Sequence, residues 1–229
     1  MRAVLLDALG TLLELEPPVP ALRAELAARG VEVDDAEAGA ALLAEITYYR
    51  AHHLEGHDPA SVAGLRRRCA EAMEAALPDR ARGALEVAEL EAAMLAALRF
   101  RPYPEVPEVL AALHRRGLRL VVVSNWDASL HDRLAGDGLA ACLTGIVSSA
   151  EVGASKPAPD AFARALSLAD VAPEEAVHVG DRVEEDVEGA RALGMRAILI
   201  DREERHPEIE ERLTDLYGLP AAVGLRRPG

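Results

Sequence analysis

The sequence runs to 229 residues, with 50% hydrophobic and 28% charged side chains and a formal net charge of −14; this length suffices for one sizeable core, or a core plus a smaller insert, and leaves little room for long disorder. So negative a balance repels phosphate backbones and argues against nucleic acid as a partner, the run Arg66-Arg67-Arg68 being too short to reverse it. Apolar runs fall far short of the roughly 18 residues a membrane span needs, and the first strand signal begins within three residues of Met1, so the expectation is no membrane partner, no signal peptide and a cytoplasmic location.

In chain order, Ala3-Val4-Leu5-Leu6 predicts a short buried strand with Asp7 at its tip, and Pro17-Pro18-Val19-Pro20 then interrupts the pattern. From Ala21 to about Leu98 the chain is rich in Ala, Leu and Glu, with apolar residues three and four apart: Leu22, Leu26 and Ala27, then Leu42, Leu43 and Ile46. Breakers at Gly30, Gly56 to Pro59, Pro78 and Gly83 divide this stretch into about four helices, and a second proline group, Pro102, Pro104 and Pro107, closes it. Beyond it helix and strand alternate. Helices are predicted near Val109–Arg116, Ala128–Leu134, Asp160–Leu168 and Glu185–Leu193, with strands at Leu118–Val123, Ile146–Val147, Ala176–Val179 and Arg196–Ile200. The alternation implies an α/β fold, a Rossmann-like parallel sheet covered by helices on both faces, carrying an inserted all-helical domain. The expected division is a core domain of residues 1–15 and 101–229 and a helical domain of 16–100. The charged tail from Arg202 ends in a stretch, 225–229, expected to be mobile.

Polar residues of one kind recur at the ends of the apolar runs: Asp7 with Gly10 and Thr11, then Ser124-Asn125, Lys156-Pro157, and Gly180-Asp181 with Asp186. A carboxylate at the tip of a buried strand is costly unless it has work to do, and ligands of such sheets gather at the strands' carboxyl ends, so four loops read as one active site. Lysine is almost absent beside arginine, which points to a compact ammonium as the reason for Lys156. Cys69 and Cys142 have no neighbouring Cys or His at metal-ligand spacing and read as reduced thiols. In the helical stretch Tyr48, Tyr49, Arg50, His52, His53 and His57 form the densest polar-aromatic group, either a substrate-facing wall or ordinary helix packing. His178, inside a strand, reads as a packed core residue. Trp126 fits a place in the core or one beneath the helical insert.

Taken in order, D-x-x-G-T from Asp7, S-N from Ser124, K-P from Lys156 and G-D-(x4)-D from Gly180 resemble the four signature motifs of the haloacid dehalogenase superfamily, most of whose members are phosphatases. The helical insert stands where that superfamily places its cap domain, in the manner of its subfamily with a helical C1-type cap. The resemblance implies that Asp7 is a nucleophile forming an acyl phosphate on a small phosphorylated substrate, with Thr11 positioning or activating its loop. It implies a magnesium site made by Asp7, the backbone carbonyl of Leu9, Asp181 and Asp186, with Glu185 as an outer or alternate ligand of Mg²⁺. Ser124 and the amides around Asn125 would hold phosphate oxygens, and Lys156 would offset the charge on the transferred group.

The sequence departs from the pattern at Leu9, where the phosphatases carry an aspartate that protonates the leaving group and later activates water; this marks a phosphatase-like subgroup with an altered first motif. The dehalogenase branch also lacks that aspartate and needs no metal, so a metal-independent 2-haloacid dehalogenase is the competing reading. A catalytically weak member that binds a phosphorylated metabolite or a protein is the third. The carboxylate-rich run from Gly180 to Asp186 favours phosphoryl chemistry, in a monomer or homodimer.

Overall fold

A computed structural model describes residues 1–224, and the mobile end expected at 225–229 lies outside the described residues. The chain divides into two units, one made of Met1–Glu14 and the chain from Pro102 onward, the other of Leu15–Arg101. Among the described residues no helix is long and apolar enough to cross a membrane.

Leu15–Arg101 holds four α-helices, α1 (Pro18–Ala27), α2 (Asp35–His52), α3 (Pro59–Ala75) and α4 (Val87–Ala97). Pro18 and Pro20 do not interrupt the chain as the sequence pattern suggested: they form the first turn of α1, where a missing N–H costs nothing. Reciprocal bonds between Asp34 and Glu37 start α2, and Asp58 and Ser61 start α3 in the same way. The shared core is Leu22 and Leu26 of α1, Ala38, Ala41 and Leu42 of α2, Leu65, Cys69 and Met73 of α3, and Leu90 and Met94 of α4.

One face of α2 differs from its apolar pattern. Leu43 is 65% exposed and Ile46 sits at the surface, while the carboxyl of Glu45 is buried and accepts a bond from the Cys69 thiol. Burial pushes the Glu45 pKa up to about 7. Because the folded value lies above the unfolded one, Glu45 ionises first in the unfolded chain; stability is fully present below the unfolded pKa and is lost as pH rises through about 7. Glu45→Gln is therefore expected to stabilise the protein by up to about 3 kcal/mol near pH 8 and hardly at all near pH 4.5, as read by urea denaturation. An equal gain at both pH values would remove burial of the charge as the cause.

The other unit is built on β1 (Ala3–Leu6); the short strands β2 (Leu13–Leu15) and β3 (Phe100–Pro102) form a separate two-stranded sheet. Then follow α5 (Val106–Arg115), β4 (Arg119–Ser124), α6 (Leu130–Gly136), β5 (Gly145–Ser148), α7 (Ser149–Val152), α8 (Pro159–Ala169) and β6 (Ala176–Gly180). A π-helical turn, Val183–Glu188, runs into α9 (Gly189–Ala192), followed by β7 (Arg196–Ile200), β8 (Arg212–Leu213) and α10 (Leu219–Ala222). The main sheet has the order β5-β4-β1-β6-β7-β8, and every pairing is parallel. Alternate residues of each strand face opposite layers: Val4, Leu6, Leu120, Val122, Val177 and Val179 pack on α5, α6 and α10. Ala3, Leu5, Val121, Val123, Ala197 and Leu199 pack on α8 and α9. This double burial is why the strands are near-continuous apolar runs.

Three boundaries depart from the sequence pattern. Pro107 sits in the first turn of α5, which begins at Val106 and not Val109. The charged tail contributes a sixth strand, β8, too short and polar to show as an apolar run. The helix expected over Glu185–Leu193 is a π-helical turn from Val183 continued by α9, with both Asp186 N–H and Val187 N–H reaching back to Arg182 O. The chain winds from β1 to β4 and β5 on one side, then returns to place β6, β7 and β8 on the other. That reversal falls between β1 and β6, the kind of position at whose strand ends ligands of such sheets gather.

Candidate active site

Asp7 extends β1 by one residue, its N–H donating to Val179 O at 2.9 Å, so its side chain stands at the tip of the central strand. Its Oδ1 accepts a bond from Lys156 Nζ at 2.7 Å, and the hydroxyl of Ser124, the last residue of β4, bonds the same carboxylate. Asp186 is held in the opposite wall by three donors: Lys156 Nζ at 2.5 Å and His178 Nε2 at 2.8 Å on Oδ1, and the Arg182 N–H at 3.0 Å on Oδ2. The π-helical turn, one residue wider than an α-turn, folds that side chain back over the end of β6. Asp181 completes the group, and one oxygen from each of Asp7, Asp181 and Asp186 lies within 4.8 Å of the others.

Two glycines make room for these acids. A Cβ at Gly10 would lie 2.3 Å from Asp181 Oδ2, and Gly10 has φ +83°, so both space and backbone require glycine. A Cβ at Gly180 would lie 2.1 Å from Asp186 Cγ. Gly10 thus both turns the chain and seats a carboxylate. The turn is closed by Gly10 N–H on Leu13 O and Leu13 N–H on Ala8 O, and the Leu9 carbonyl takes part in neither bond. The Leu9 side chain is 37% exposed, and the Thr11 hydroxyl is buried with no hydrogen-bond partner among the described residues.

Lys156 is the only lysine in the sequence, and it is buried. Its backbone is clipped by the Asn125 side chain, which accepts from Lys156 N–H at 2.7 Å and donates to Lys156 O at 3.0 Å and to Glu185 Oε2 at 3.1 Å. The Asn125 side chain is thus committed to Lys156 and Glu185. Glu185, expected as an outer or alternate ligand, braces Asn125 and stands outside the three-acid group.

Burial pushes the Asp7 pKa up against the pull of Lys156. Burial and the charges of Asp7 and Asp186 raise Asp181 to about 7. Burial opposes ionisation of Asp186 too, yet Lys156 and His178 hold it well below the usual carboxylate range; Lys156 itself, which burial alone would lower, is held above its ordinary value by Asp186 and Asp7. Three carboxylates thus face one ammonium, and Asp181 Oδ1 is buried without a hydrogen-bond partner among the described residues. An orphaned buried acceptor is costly, and an all-oxygen set of this charge suits a hard divalent cation such as Mg²⁺.

His178 is more than packing. It is fully buried, meets the Phe162 ring edge-on at 5.1 Å, and gives its Nε2–H to Asp186. Strand alternation places it on the α8 face but does not say which acid lies across from it. Arg202, also unassigned by the sequence, reaches the loop after Asp7 from two residues beyond β7; the strand-end rule applied to β7 points to its neighbour Asp201.

The polar-aromatic group of the helical unit is tied to itself. Tyr48 stacks on His52 at 4.0 Å and accepts at its hydroxyl from Arg68 Nε, while His52 and His53 bond the carbonyls of Tyr48 and Arg50. Trp126 packs partly buried against the α5 layer.

The family model for haloacid dehalogenase-like hydrolases matches residues 1–194. A phosphoserine phosphatase of Thermus thermophilus is 44% identical over 149 residues, 64% of this chain and 57% of the relative, so the chain spans little more than half that relative's length. Among solved structures, a HAD phosphatase from Thermococcus onnurineus superposes with a TM-score of 0.69 at 25% identity over all of both chains. A 2-haloacid dehalogenase from Pseudomonas syringae gives 0.68 at 26% identity, covering 97% of this chain and 98% of that one.

Proposed function

The chain belongs to the haloacid dehalogenase-like hydrolases, and we propose that within that family it is a Mg²⁺-dependent phosphatase of the cytoplasm, acting on a small phosphorylated molecule through a covalent intermediate on Asp7. The observation that carries this reading is the convergence of Asp7, Asp181 and Asp186 around the single ammonium of Lys156. A carboxylate oxygen of Asp7 attacks phosphorus, and the bond from phosphorus to the leaving oxygen breaks with its electron pair going to that oxygen. Water then attacks the phosphorus of the acyl phosphate, releasing inorganic phosphate and restoring the carboxylate. Lys156 and Ser124 orient Asp7, and Lys156 together with the Asn125 amide balances charge on the transferred group. Mg²⁺ held by Asp7, the Leu9 carbonyl, Asp181 and Asp186 would screen the attacking carboxylate from the phosphoryl oxygens. The unit Leu15–Arg101 is assigned the part of the cap domain that selects the substrate.

Leu9 limits the chemistry. With no acid at that position, the leaving oxygen departs without a proton from the first loop, so alkyl esters suffer most. On a panel of phosphate esters, turnover is expected to vanish with EDTA, return with Mg²⁺, and fall steeply as the leaving-group pKa rises. Leu9→Asp is expected to raise alkyl-ester turnover by about 10² to 10⁴-fold while changing activated aryl esters little. Equal turnover with and without divalent metal would end the assignment as a Mg²⁺-dependent enzyme. Leu9 also favours the dehalogenase reading, and chloride release from 2-chloropropionate in EDTA would establish that one instead.

A further inference from the structure

Arg202 follows β7 by two residues and spends its whole guanidinium inside the protein. Nε donates to Gly10 O at 3.2 Å and Nη2 to Thr11 O at 2.9 Å, while Nη1 pairs with Glu105 Oε1 at 2.8 Å. Its central carbon lies 3.4 Å from the centre of the Tyr103 ring. The Arg202 side chain is only 20% exposed and that of Glu105 5%, so this is an enclosed assembly and not a surface ion pair. The parts around it are themselves anchored. Asp201 accepts the N–H groups of Arg205 and His206, fixing the turn that carries Arg202, and Tyr103 N–H donates to Leu12 O, tying the ring to the same loop.

We infer that Arg202 is a positioning residue for the Asp7 loop, setting the direction of the two peptide groups that follow Gly10 so that the loop is preformed against Asp181. Gly10 has little freedom of place, since its Cα carries no side chain and Asp181 fills the space where one would be. It has ample freedom of angle, because a glycine with positive φ also populates other backbone wells. The carbonyls of Gly10 and Thr11 would therefore be the loosest part of the turn without an external donor. Arg202 supplies two donors in one plane, and Glu105 neutralises its charge, so no exogenous anion is drawn to it. Lysine cannot replace it: an ammonium has no planar fork and cannot lie flat on Tyr103 while bonding both carbonyls.

The consequence for metal binding rests on the Mg²⁺ reading, because the Leu9 carbonyl is a ligand only under that reading. The consequence for the loop does not. In metal-free protein, hydrogen exchange of the Gly10, Leu12 and Leu13 amides is expected to speed up about 10-fold or more in Arg202→Lys and Arg202→Met, with the β4 amides unchanged as a control that the fold is intact. Calorimetric titration with Mg²⁺ alone should show 10–100-fold weaker binding in both variants, the range typical of outer-shell partners. The wild-type protein and Asp181→Asn serve as the reference pair. Wild-type amide protection in both variants overturns the inference. Failure of wild type to bind Mg²⁺, with faster loop exchange in the variants, overturns the metal reading and leaves the positioning role standing.

Discussion

Asp7→Asn should lose at least about 10⁴-fold in turnover of an activated aryl phosphate at saturating Mg²⁺, the scale on which enzymes lose rate when the group that forms the covalent bond is removed. Asparagine keeps the shape of the side chain, and its amide oxygen can still accept from Lys156 Nζ, so the loop has no reason to move. What disappears is the charge and the electron pair that attack phosphorus. The same substitution should stabilise the metal-free protein at neutral pH. Burial raises the folded pKa of Asp7 above its unfolded value, so its contribution to stability is present below the unfolded pKa and lost as pH rises through the folded one. A neutral amide escapes that loss. Calorimetric melting with and without EDTA, beside the rate measurement, checks both halves. Retention of more than about one hundredth of the wild-type rate would place the nucleophile elsewhere.

Lys156→Met should combine a large loss of rate with a large loss of stability. The ammonium bridges Asp7 and Asp186 and is itself almost wholly enclosed, at 1% side-chain exposure. Taking away one partner of a buried ion pair typically costs about 3–5 kcal/mol, because the remaining charges are left without compensation. Turnover should fall about 10² to 10³-fold, as when one preorganised donor is lost from a site of developing negative charge. The dependence on pH should change as well. In the wild type Asp186 is depressed, so its contribution is present above the unfolded pKa and lost as pH falls. Without Lys156 that depression weakens and buried carboxylates titrate upward, so the variant should be least stable near pH 8, recover toward about pH 5, and be partly rescued by Mg²⁺. Urea denaturation across that range reads the effect; a variant as stable as wild type at every pH would show that Lys156 is not the counter-charge of this cluster.

Much of the site can be read from local pattern. Asp7, Ser124 and Asp181 stand out because each ends an apolar strand run, and the structure gathers them with Asp186 and with Lys156, which bonds Asp7 across 149 positions. Asn125 was singled out as well, for the amides around it, but the bonds of its side chain to the Lys156 backbone have no signal in the motif. Glu45 shows the limit in the helical unit: helical spacing names Leu42, Leu43 and Ile46 as a stripe, whereas packing of α2 buries Glu45 and leaves Leu43 in solvent.

The linear order of residues is enough for the α/β alternation, the double-faced burial of the strands and the acids at their tips, because periodicity and strand ends are properties of neighbours along the chain. It cannot supply the strand order β5-β4-β1-β6-β7-β8, the His178 bond to Asp186, the π-helical turn that carries Asp186, or the grip of Arg202 on Gly10 and Thr11. Each of those depends on which segments lie side by side after folding, and that follows from the packing of whole layers, to which no short window of sequence has access.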